Sequence, residues 1–292
     1  MADGVWETMR FPPDGEELLH ELFHENSKTS HYDPALLEGE VVARMQGMSE
    51  SLLFDSYPEV ELPDSLTPLP LPLEEALFAR VTARTLIPRS LALEDLATLL
   101  HCGYGVTRDN VGTPWPRPFR TVPSGGALYP LEIFVHSASY VEGLQSGLYH
   151  YSPAKHNLRL LVDGDQSSSI ADGLVQKNLA YDSSVLFFIT ALFERATFKY
   201  GDRGYRFVLL EAGHVAQNIN LASGGLRLGC MNIGGFFDRQ IDDLLGLDGV
   251  THSTVYLVAV GGKEGEPGDT DADFVSIGDI EETAKETEHA NG

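Results

Sequence analysis

An unbroken apolar run in the second half of the chain limits the possible folds more than any other feature. The segment VLFFITAL, residues 185–192, has a single polar residue, a threonine. Because side chains on a strand point alternately to its two faces, this run predicts a strand that is covered on both sides. Such a strand is long enough to lie at the centre of a sheet.

The segments around this run alternate irregularly between strand and helix patterns. Strands are predicted for LEIFVHS, for the hairpin pair GLYHYSP and NLRLLVD, and for MNIGGFFD and STVYLVAVGG. Helical spacing of apolar residues occurs in DGEELLHELFHENSK, LEEALFARVTAR, LALEDLATLLHCGYG, DQSSSIADGLVQKNLA, RGYRFVLLEAGHVAQNINLASGGLRLG and DRQIDDLLGL. This order favours an α+β fold with a central mixed or antiparallel sheet flanked by helices.

Composition divides the chain into three segments. Residues 1–72 are predicted to be helical and then extended, because the proline-rich stretch PEVELPDSLTPLPLPL cannot form the interior of a helix. Residues 73–262 contain most of the strand and helix patterns. Residues 263–292 are acidic and polar, and we expect this tail to be poorly ordered.

Charge and hydropathy limit the partners of the chain. A net charge of −23 argues against nucleic acid, and an anionic cofactor would need local cations. No apolar run approaches the roughly 20 residues of a membrane span, and the N-terminal residues lack a secretory pattern. We therefore expect a cytoplasmic protein with reduced Cys102 and Cys230, and no His or Cys spacing predicts a metal site. The acidic surface is compatible with solvation, an acidic docking face or a high-salt host.

A cluster of cations in the segment RVTAR is a candidate phosphate site. If the segment is helical, Arg80 and Arg84 share one face and Thr82 lies at its edge. Two guanidinium groups and a hydroxyl can donate to a phosphate. The alternative is a pair of surface arginines that bind Glu74 and Glu75.

Two glycine pairs are candidates for close contact between backbone and ligand. Ser124, Gly125 and Gly126 lie between a proline and a predicted strand, and Gly234 with Gly235 follows another strand. Glycine lets a ligand approach the backbone amides closely. Simple turns are the alternative at both places, and neither pair matches a phosphate-binding glycine motif.

The segment FKYGDRGYR places a lysine beside a tyrosine. Lys199 and Tyr200 follow the buried strand, where such a pair could exchange protons with a substrate. The alternative is a lysine with an extended apolar stem and an interface tyrosine. No GxSxG motif or cysteine–histidine pairing predicts a hydrolase.

Together these motifs resemble the flavin-dependent nitroreductase superfamily. Its SagB-type/McbC-like branch, the azoline dehydrogenases of ribosomal-peptide maturation, is the narrower resemblance. The residues that carry it run from about Leu73 to Gly262 and include PSGGALYPLEIFV, GLYHYSP, FKYGDRGYRFVLLEAGHVAQN and NIGGFFD. The resemblance implies a nitroreductase-like three-layer fold and a homodimer, alone or within a larger complex, with FMN at each subunit interface.

The resemblance also implies which residues bind FMN. Arg80, Thr82 and Arg84 would hold the FMN phosphate and part of the ring, and Gly234 and Gly235 would face flavin N5 and O4. The ring wall from the other subunit would consist of Pro123, Ser124, Gly125, Gly126 and Leu128. Gln217 and Asn218 would lie on the helix at the dimer interface. There is one departure from the family pattern. Relatives that use NAD(P)H usually carry a basic pair after the last strand, whereas this chain has only Lys263, which puts more weight on Arg80 and Arg84.

The activity implied by the resemblance is the oxidation of thiazoline or oxazoline to thiazole or oxazole. The substrate would be a peptide or an amino-acid-derived heterocycle, with modification enzymes as possible partners. Lys199 or Tyr200 would take the acidic proton, hydride would pass to flavin N5, and oxygen would reoxidise the flavin. One alternative is an NAD(P)H-dependent nitro or quinone reductase. Another is a non-catalytic scaffold subunit of a modification complex.

Overall fold

A computed structural model describes residues 19–31, 36–112 and 117–263 of the chain. The predicted tail beyond residue 263 and the first part of the predicted N-terminal helix lie outside the described residues. The described α-helices are α1 Leu19–Asn26, α2 Glu38–Gly47, α3 Leu73–Phe78, α4 Leu93–Tyr104, α5 Ser167–Gly173, α6 Leu179–Asp182, α7 Glu194–Tyr200, α8 Arg203–Gly225 and α9 Asp238–Leu245.

The strands form one large sheet and one small one. They are β1 Glu59–Glu61, β2 Leu86–Ile87, β3 Val106–Arg108, β4 Phe119–Arg120, β5 Leu131–Ser137, β6 Gly147–Ser152, β7 Asn157–Asp163, β8 Val185–Leu192, β9 Gly229–Ile233 and β10 His252–Lys263. The large sheet has the order β1-β7-β6-β5-β8-β10-β2, and β9 also pairs with β10. All pairings between these strands are antiparallel. β3 and β4 form a separate pair.

The apolar run at residues 185–192 is the central strand β8, between β5 and β10. Phe187 and Ile189 pack into a core with α4 and α8, whereas Leu186 and Phe188 pack into a second core with α5, α6 and α9. Alternate residues of one strand thus supply both cores. The arrangement confirms the expected α+β fold with helices on both sides of an antiparallel sheet.

Three local predictions were wrong or incomplete. The helix expected over residues 73–84 ends at Phe78, because the N–H of Ala83 bonds the carbonyl of Cys230 on β9 instead of continuing a helix. The helix expected over residues 165–180 is split into α5 and α6, since the N–H of Val175 bonds Gly235 across the loop. The extended stretch after residue 58 contains the short strand β1.

None of the helices in the described ranges is long and apolar enough to cross a membrane. Cys102 is half-buried, Cys230 is buried, and both are free thiols.

Candidate functional site

The turn at residues 124–128 meets the end of α7, and this contact joins two of the predicted motifs. Gly126 lies in the 3-10 turn Gly125–Ala127 with a φ of +67°. A β-carbon at this position would lie 2.7 Å from Tyr200 Oη and 2.8 Å from Lys199 Nζ. Both predicted catalytic side chains therefore place their polar ends against the backbone of Gly126, where only glycine leaves room for them.

Lys199 and Tyr200 are half-buried in the last turn of α7 and not at the end of a strand, as the sequence had suggested. The strand β8 ends at Leu192, and α7 begins two residues later. Gly201, with a φ of +54°, then ends α7 and allows the turn into α8. The pair is thus presented by the end of a short helix whose position depends on its own packing.

A buried ion pair fixes α7 to the central sheet. Arg195 donates to Glu132 Oε1 at 2.6 Å, and Glu132 also bonds His150 Nε2 at 2.7 Å. Ser51 Oγ and the N–H of Leu52 donate to the same carboxylate at 2.8 and 3.0 Å. Burial alone would raise the pKa of Glu132, but the bond from His150 and the charge of Arg195 lower it to about 2. The carboxylate therefore stays ionised and holds the helix.

The N-terminal part of the chain covers this region. Val41 and Met45 of α2 form a small buried cluster with Leu128, and Tyr200 packs against it. The carbonyl of Glu50 accepts a bond from Arg120 Nη2 at 3.0 Å. The segment at residues 36–52 thus contacts both the turn and the tyrosine of the predicted pair. No motif in the sequence pointed to this contact.

The turn also lines a cleft of ≈ 440 Å³. Pro123, Ser124 and Gly126 contribute to its wall, together with Arg108 and Arg120 from the β3–β4 pair. Leu128, in contrast, is 1 % exposed and packs into the cluster with α2. A contact of Leu128 with a cofactor stays a prediction.

Beneath the turn lies a buried acid that no motif in the sequence predicted. Glu211 on α8 is 2 % exposed and accepts a 2.7 Å hydrogen bond from Tyr104 Oη. Burial raises its pKa to about 7, although hydrogen bonds from Ser124 and Tyr104 and the charge of Arg120 act in the opposite direction. One signal was present in the sequence: Glu211 lies three residues after Val208 and four before Val215, on the apolar stripe of the helix.

The predicted phosphate-binding residues lie in a separate part of the fold. Arg80, Thr82 and Arg84 are exposed and lie on an extended segment beside β9, so the predicted helical face does not exist. Arg80 and Lys263 line one small cleft with Asn220 and buried Cys230. Lys263 ends β10, opposite Leu86, and is therefore near the arginine segment despite its distance in sequence.

The contacts of Arg80 and Arg84 do not support their alternative role as partners of Glu74 and Glu75. Neither Arg80 nor Arg84 forms an ion pair with Glu74 or Glu75, all of which belong to the described part of the chain. Their exposed guanidinium groups remain suitable donors for a phosphate.

Gly234 and Gly235 follow the C-terminal end of β9, the strand that lies beside the arginine segment. Both are exposed just after β9. The nearest atoms to a β-carbon at these positions would be 3.8 Å away at Tyr256 and 3.6 Å away at Val175. A side chain at either position would therefore meet no steric clash, because open space lies next to this backbone. Since Gly234 is four residues beyond Cys230, about 13 Å of strand separates it from the arginine segment.

Gln217 and Asn218 are half-buried on α8. Asn218 Nδ2 donates to the carbonyls of Cys102 and Thr121 at 3.0 and 3.5 Å. The amide therefore ties α8 to the end of α4 and to Thr121, the residue that follows β4. For both residues, contact with a cofactor stays a prediction.

The predicted residues fall into two groups. The wall group comprises residues 123–126 with Lys199 and Tyr200, and the arginine group comprises residues 80–84 with Gly234 and Gly235. The clefts beside the two groups have no lining residue in common. Each group resembles one half of a ligand site: one offers cations and open backbone, and the other a polar pair on a glycine turn.

Replacing Gly126 with alanine tests the contact between the turn and α7. We expect turnover to fall roughly 100-fold, because the methyl group would displace the ends of Lys199 and Tyr200 by an ångström or so. The left-handed backbone would also cost about 1–2 kcal/mol of unfolding free energy. Steady-state kinetics and chemical denaturation measure the two effects.

Gly143→Ala is the matched control, since Gly143 has a φ of +76° and no atom within 4 Å of a built β-carbon. It should lose similar stability and keep full turnover. Equal turnover in both variants would show that the polar pair does not depend on the turn.

The chain is similar in sequence to several known proteins. The model of the family described as "Nitroreductase family" matches residues 77–262. The nitroreductase-like protein MJ1384 of Methanocaldococcus jannaschii is 36% identical over 187 residues, which is 64% of this chain and 89% of that protein. The microcin B17-processing protein McbC of Escherichia coli is 33% identical over 135 residues, covering 44% of this chain and 49% of McbC.

The fold is also similar to a solved structure of an assembly. A chain of the E. coli microcin synthetase McbBCD complex with truncated pro-MccB17 bound aligns with a TM-score of 0.55 and 21% identity. The alignment covers 85% of this chain and 98% of that chain. At 21% sequence identity, this similarity shows a shared fold alone.

Proposed function

Because the chain belongs to the nitroreductase family, we propose that it is an FMN-dependent dehydrogenase that oxidises azoline rings in a peptide or a related small heterocycle. Members of this family typically bind a flavin. The contact of Lys199 and Tyr200 with the glycine turn carries the proposal, because it puts a proton-exchanging pair against Gly126, a residue that lines an open cleft. The similarity to McbC, a protein named for processing microcin B17, supports the choice of substrate.

The arginine group fits the requirements of FMN. Arg80 and Lys263 line one cleft and Arg84 is exposed on the same segment as Arg80, so cations are concentrated locally in a chain of net charge −23. Guanidinium and ammonium groups are common phosphate ligands. The open backbone at Gly234 and Gly235 leaves room for a flat ring and presents backbone N–H groups to it. These residues would hold the cofactor.

Two separate groups suggest a homodimer. One FMN would use the arginine group of one subunit and the wall group of its partner, since the two groups line different clefts within one chain. Leu209 and Leu210 are exposed on α8 and would give the second subunit an apolar surface. Each subunit alone would then hold only half of each site.

The chain's own residues would carry the proton chemistry. Bound FMN supplies the acceptor for the two electrons that leave the substrate ring. Lys199 Nζ or Tyr200 Oη takes the acidic proton of the azoline carbon. Gly126 leaves space for both groups, and Tyr200 packs against the buried cluster of Val41, Met45 and Leu128.

The test is to incubate the purified, FMN-loaded protein with thiazoline- and oxazoline-containing peptides in air. We expect a loss of two hydrogen atoms per ring, measured by mass spectrometry, and a full yield of azole at long times. The partner modification enzymes of the same pathway are included in a parallel set, because McbC-like proteins are found in a synthetase complex. No loss of mass in either set would refute the substrate assignment.

A second candidate is an NAD(P)H-dependent nitro or quinone reductase, which the similarity to MJ1384 favours. Rapid loss of flavin colour on addition of NADH or NADPH without air would support this activity. A protein that gains no visible flavin absorption after addition of FMN would instead be a non-catalytic scaffold subunit. The same spectrophotometric titration thus identifies the reductase and the scaffold subunit, and the mass-spectrometric test identifies the azoline dehydrogenase.

A further inference from the structure

A buried carboxylate, Glu211, lies next to the turn at the candidate site. We propose that Glu211 is a positioning residue: its ionised side chain holds the hydroxyl groups of Ser124 and Tyr104, and through Ser124 it fixes the turn that Lys199 and Tyr200 contact. The functional part of this proposal rests on the proposed oxidoreductase activity. The structural part concerns the turn alone.

Each hydroxyl group is fixed from two sides. Ser124 Oγ accepts the N–H of Tyr129 at 2.9 Å and donates to Glu211. Tyr104 Oη accepts the N–H of Leu131 at 3.2 Å and donates to Glu211 Oε1 at 2.7 Å. Each hydroxyl group has a single hydrogen to donate, and both hydroxyl groups donate it to the carboxylate of Glu211. Glu211 thereby ties together α4, α8 and both ends of the turn.

The two ionisation states of Glu211 cannot support the same bonds. An ionised carboxylate accepts from Ser124 and Tyr104 at once. A protonated carboxyl carries a hydrogen on one of its two oxygens, and in the proposed arrangement that oxygen no longer accepts from the hydroxyl group that it faces. Protonation therefore costs one bond and releases either the turn or α4 from the acid.

The charged and titratable groups that face Glu211 are Tyr104 of α4, Arg120 of β4 and Tyr129 just after the turn. Arg120 of β4 has its guanidinium 4.2 Å from the ring centre of Tyr104 and 4.8 Å from that of Tyr129. Burial raises the pKa of Glu211 to about 7, against the hydrogen bonds of Ser124 and Tyr104 and the charge of Arg120. Both ionisation states are thus populated near neutral pH.

The consequence at the site follows from the turn. Ser124 is two residues from Gly126, whose backbone lies against the ends of Lys199 and Tyr200. A turn held by ionised Glu211 keeps this backbone in place, whereas a released turn can shift relative to α7. Turnover should therefore be highest above pH 7 and fall as Glu211 takes up a proton.

The experiment replaces Glu211 with glutamine, which has the same shape and no charge. We expect kcat to fall about tenfold with little change in KM, the effect of one lost hydrogen bond in the ordering of the site. The decrease in kcat below pH 7 should disappear. Ser124→Ala should give the same loss, and the double variant should lose no more, because both act through one bond.

A second measurement needs no activity. Hydrogen exchange of residues 123–129, followed by mass spectrometry at pH 8, should be several-fold faster in Glu211→Gln than in the wild type. Since the pKa of Glu211 is higher in the fold than in the unfolded chain, its ionisation destabilises the fold as pH rises towards 7. Glu211→Gln should therefore have a higher Tm than the wild type at pH 8, while Glu61→Gln, on an exposed strand, should match the wild type.

These outcomes separate the two proposals. Faster exchange and a raised Tm in Glu211→Gln support the positioning role even if no substrate is oxidised, in which case only the proposed function fails. Unchanged exchange of the turn, or a wild-type pH profile in Glu211→Gln, overturns the role of Glu211 whatever the substrate proves to be.

Discussion

Replacement of Lys199 with methionine is expected to lower the kcat of azoline oxidation about 100-fold or more while FMN remains bound. Methionine keeps the length of the side chain but cannot take up or release a proton, and general acid–base catalysis contributes effects of this size. Lys199 Nζ lies against the turn of the wall group, away from the cleft lined by Arg80 and Lys263. Visible absorption of the purified variant measures FMN content, and single-turnover kinetics measure the chemical step.

The matched control is Lys177→Met, which removes an ammonium group whose ion pair with Asp172 is largely exposed. It should have wild-type activity. Tyr200→Phe, which removes only the hydroxyl group, completes the set and identifies the proton acceptor by the larger of the two losses. Full activity in Lys199→Met and in Tyr200→Phe would contradict the catalytic role of the pair.

The second large effect concerns stability and the position of α7. Arg195→Met should lower the free energy of unfolding by about 3–5 kcal/mol, the cost of leaving one partner of a buried ion pair uncompensated. The side chains of Arg195 and Glu132 are only 5 % and 1 % exposed. Urea denaturation at pH 7 gives the value.

The pH dependence of this variant provides an independent check. Because the pKa of Glu132 is lowered to about 2 in the fold, the carboxylate stabilises the protein above its unfolded pKa and loses this effect as pH falls towards 2. Without Arg195 the pKa of Glu132 should rise, so acid unfolding should begin at a higher pH. Lys177→Met again serves as the control, with a loss below about 1 kcal/mol. An Arg195→Met variant as stable as the wild type would mean that α7 is held by other contacts.

Much of the fold was predictable from local patterns. The apolar run at residues 185–192 indicated a central strand, and the structure places it between β5 and β10. The long apolar stripe of residues 203–225 indicated the helix that packs against it. These segments are long and strongly periodic, so their local pattern and their tertiary environment agree.

The candidate site was harder to predict from the sequence, because its contacts join residues that are far apart in the chain. The spacing of Arg80 and Arg84 suits a helix, but a single backbone bond from Ala83 to β9 holds the segment extended. Tertiary contacts here overrode a weak local preference. The motifs indicated Gly126 and Lys199 separately, and only the fold brings them into contact.

Glu211 illustrates a second limit. An acid on an apolar helical stripe indicates a buried polar group, but the sequence does not say which donors satisfy it. Those donors are Tyr104 and Ser124, 107 residues away in one case. Hydrogen-bond partners of this kind depend on how α4 packs against α8, which no local pattern specifies.

The cover formed by residues 36–52 has a consequence for the surroundings of Tyr200. These residues precede the part that matches the family, yet they supply two donors to Glu132 and pack against Leu128 and Tyr200. Substitutions in α2 can therefore reshape the surroundings of the tyrosine without altering the residues proposed to hold FMN. The segment before the family domain thus sets the surroundings of Tyr200 independently of the residues proposed to hold FMN.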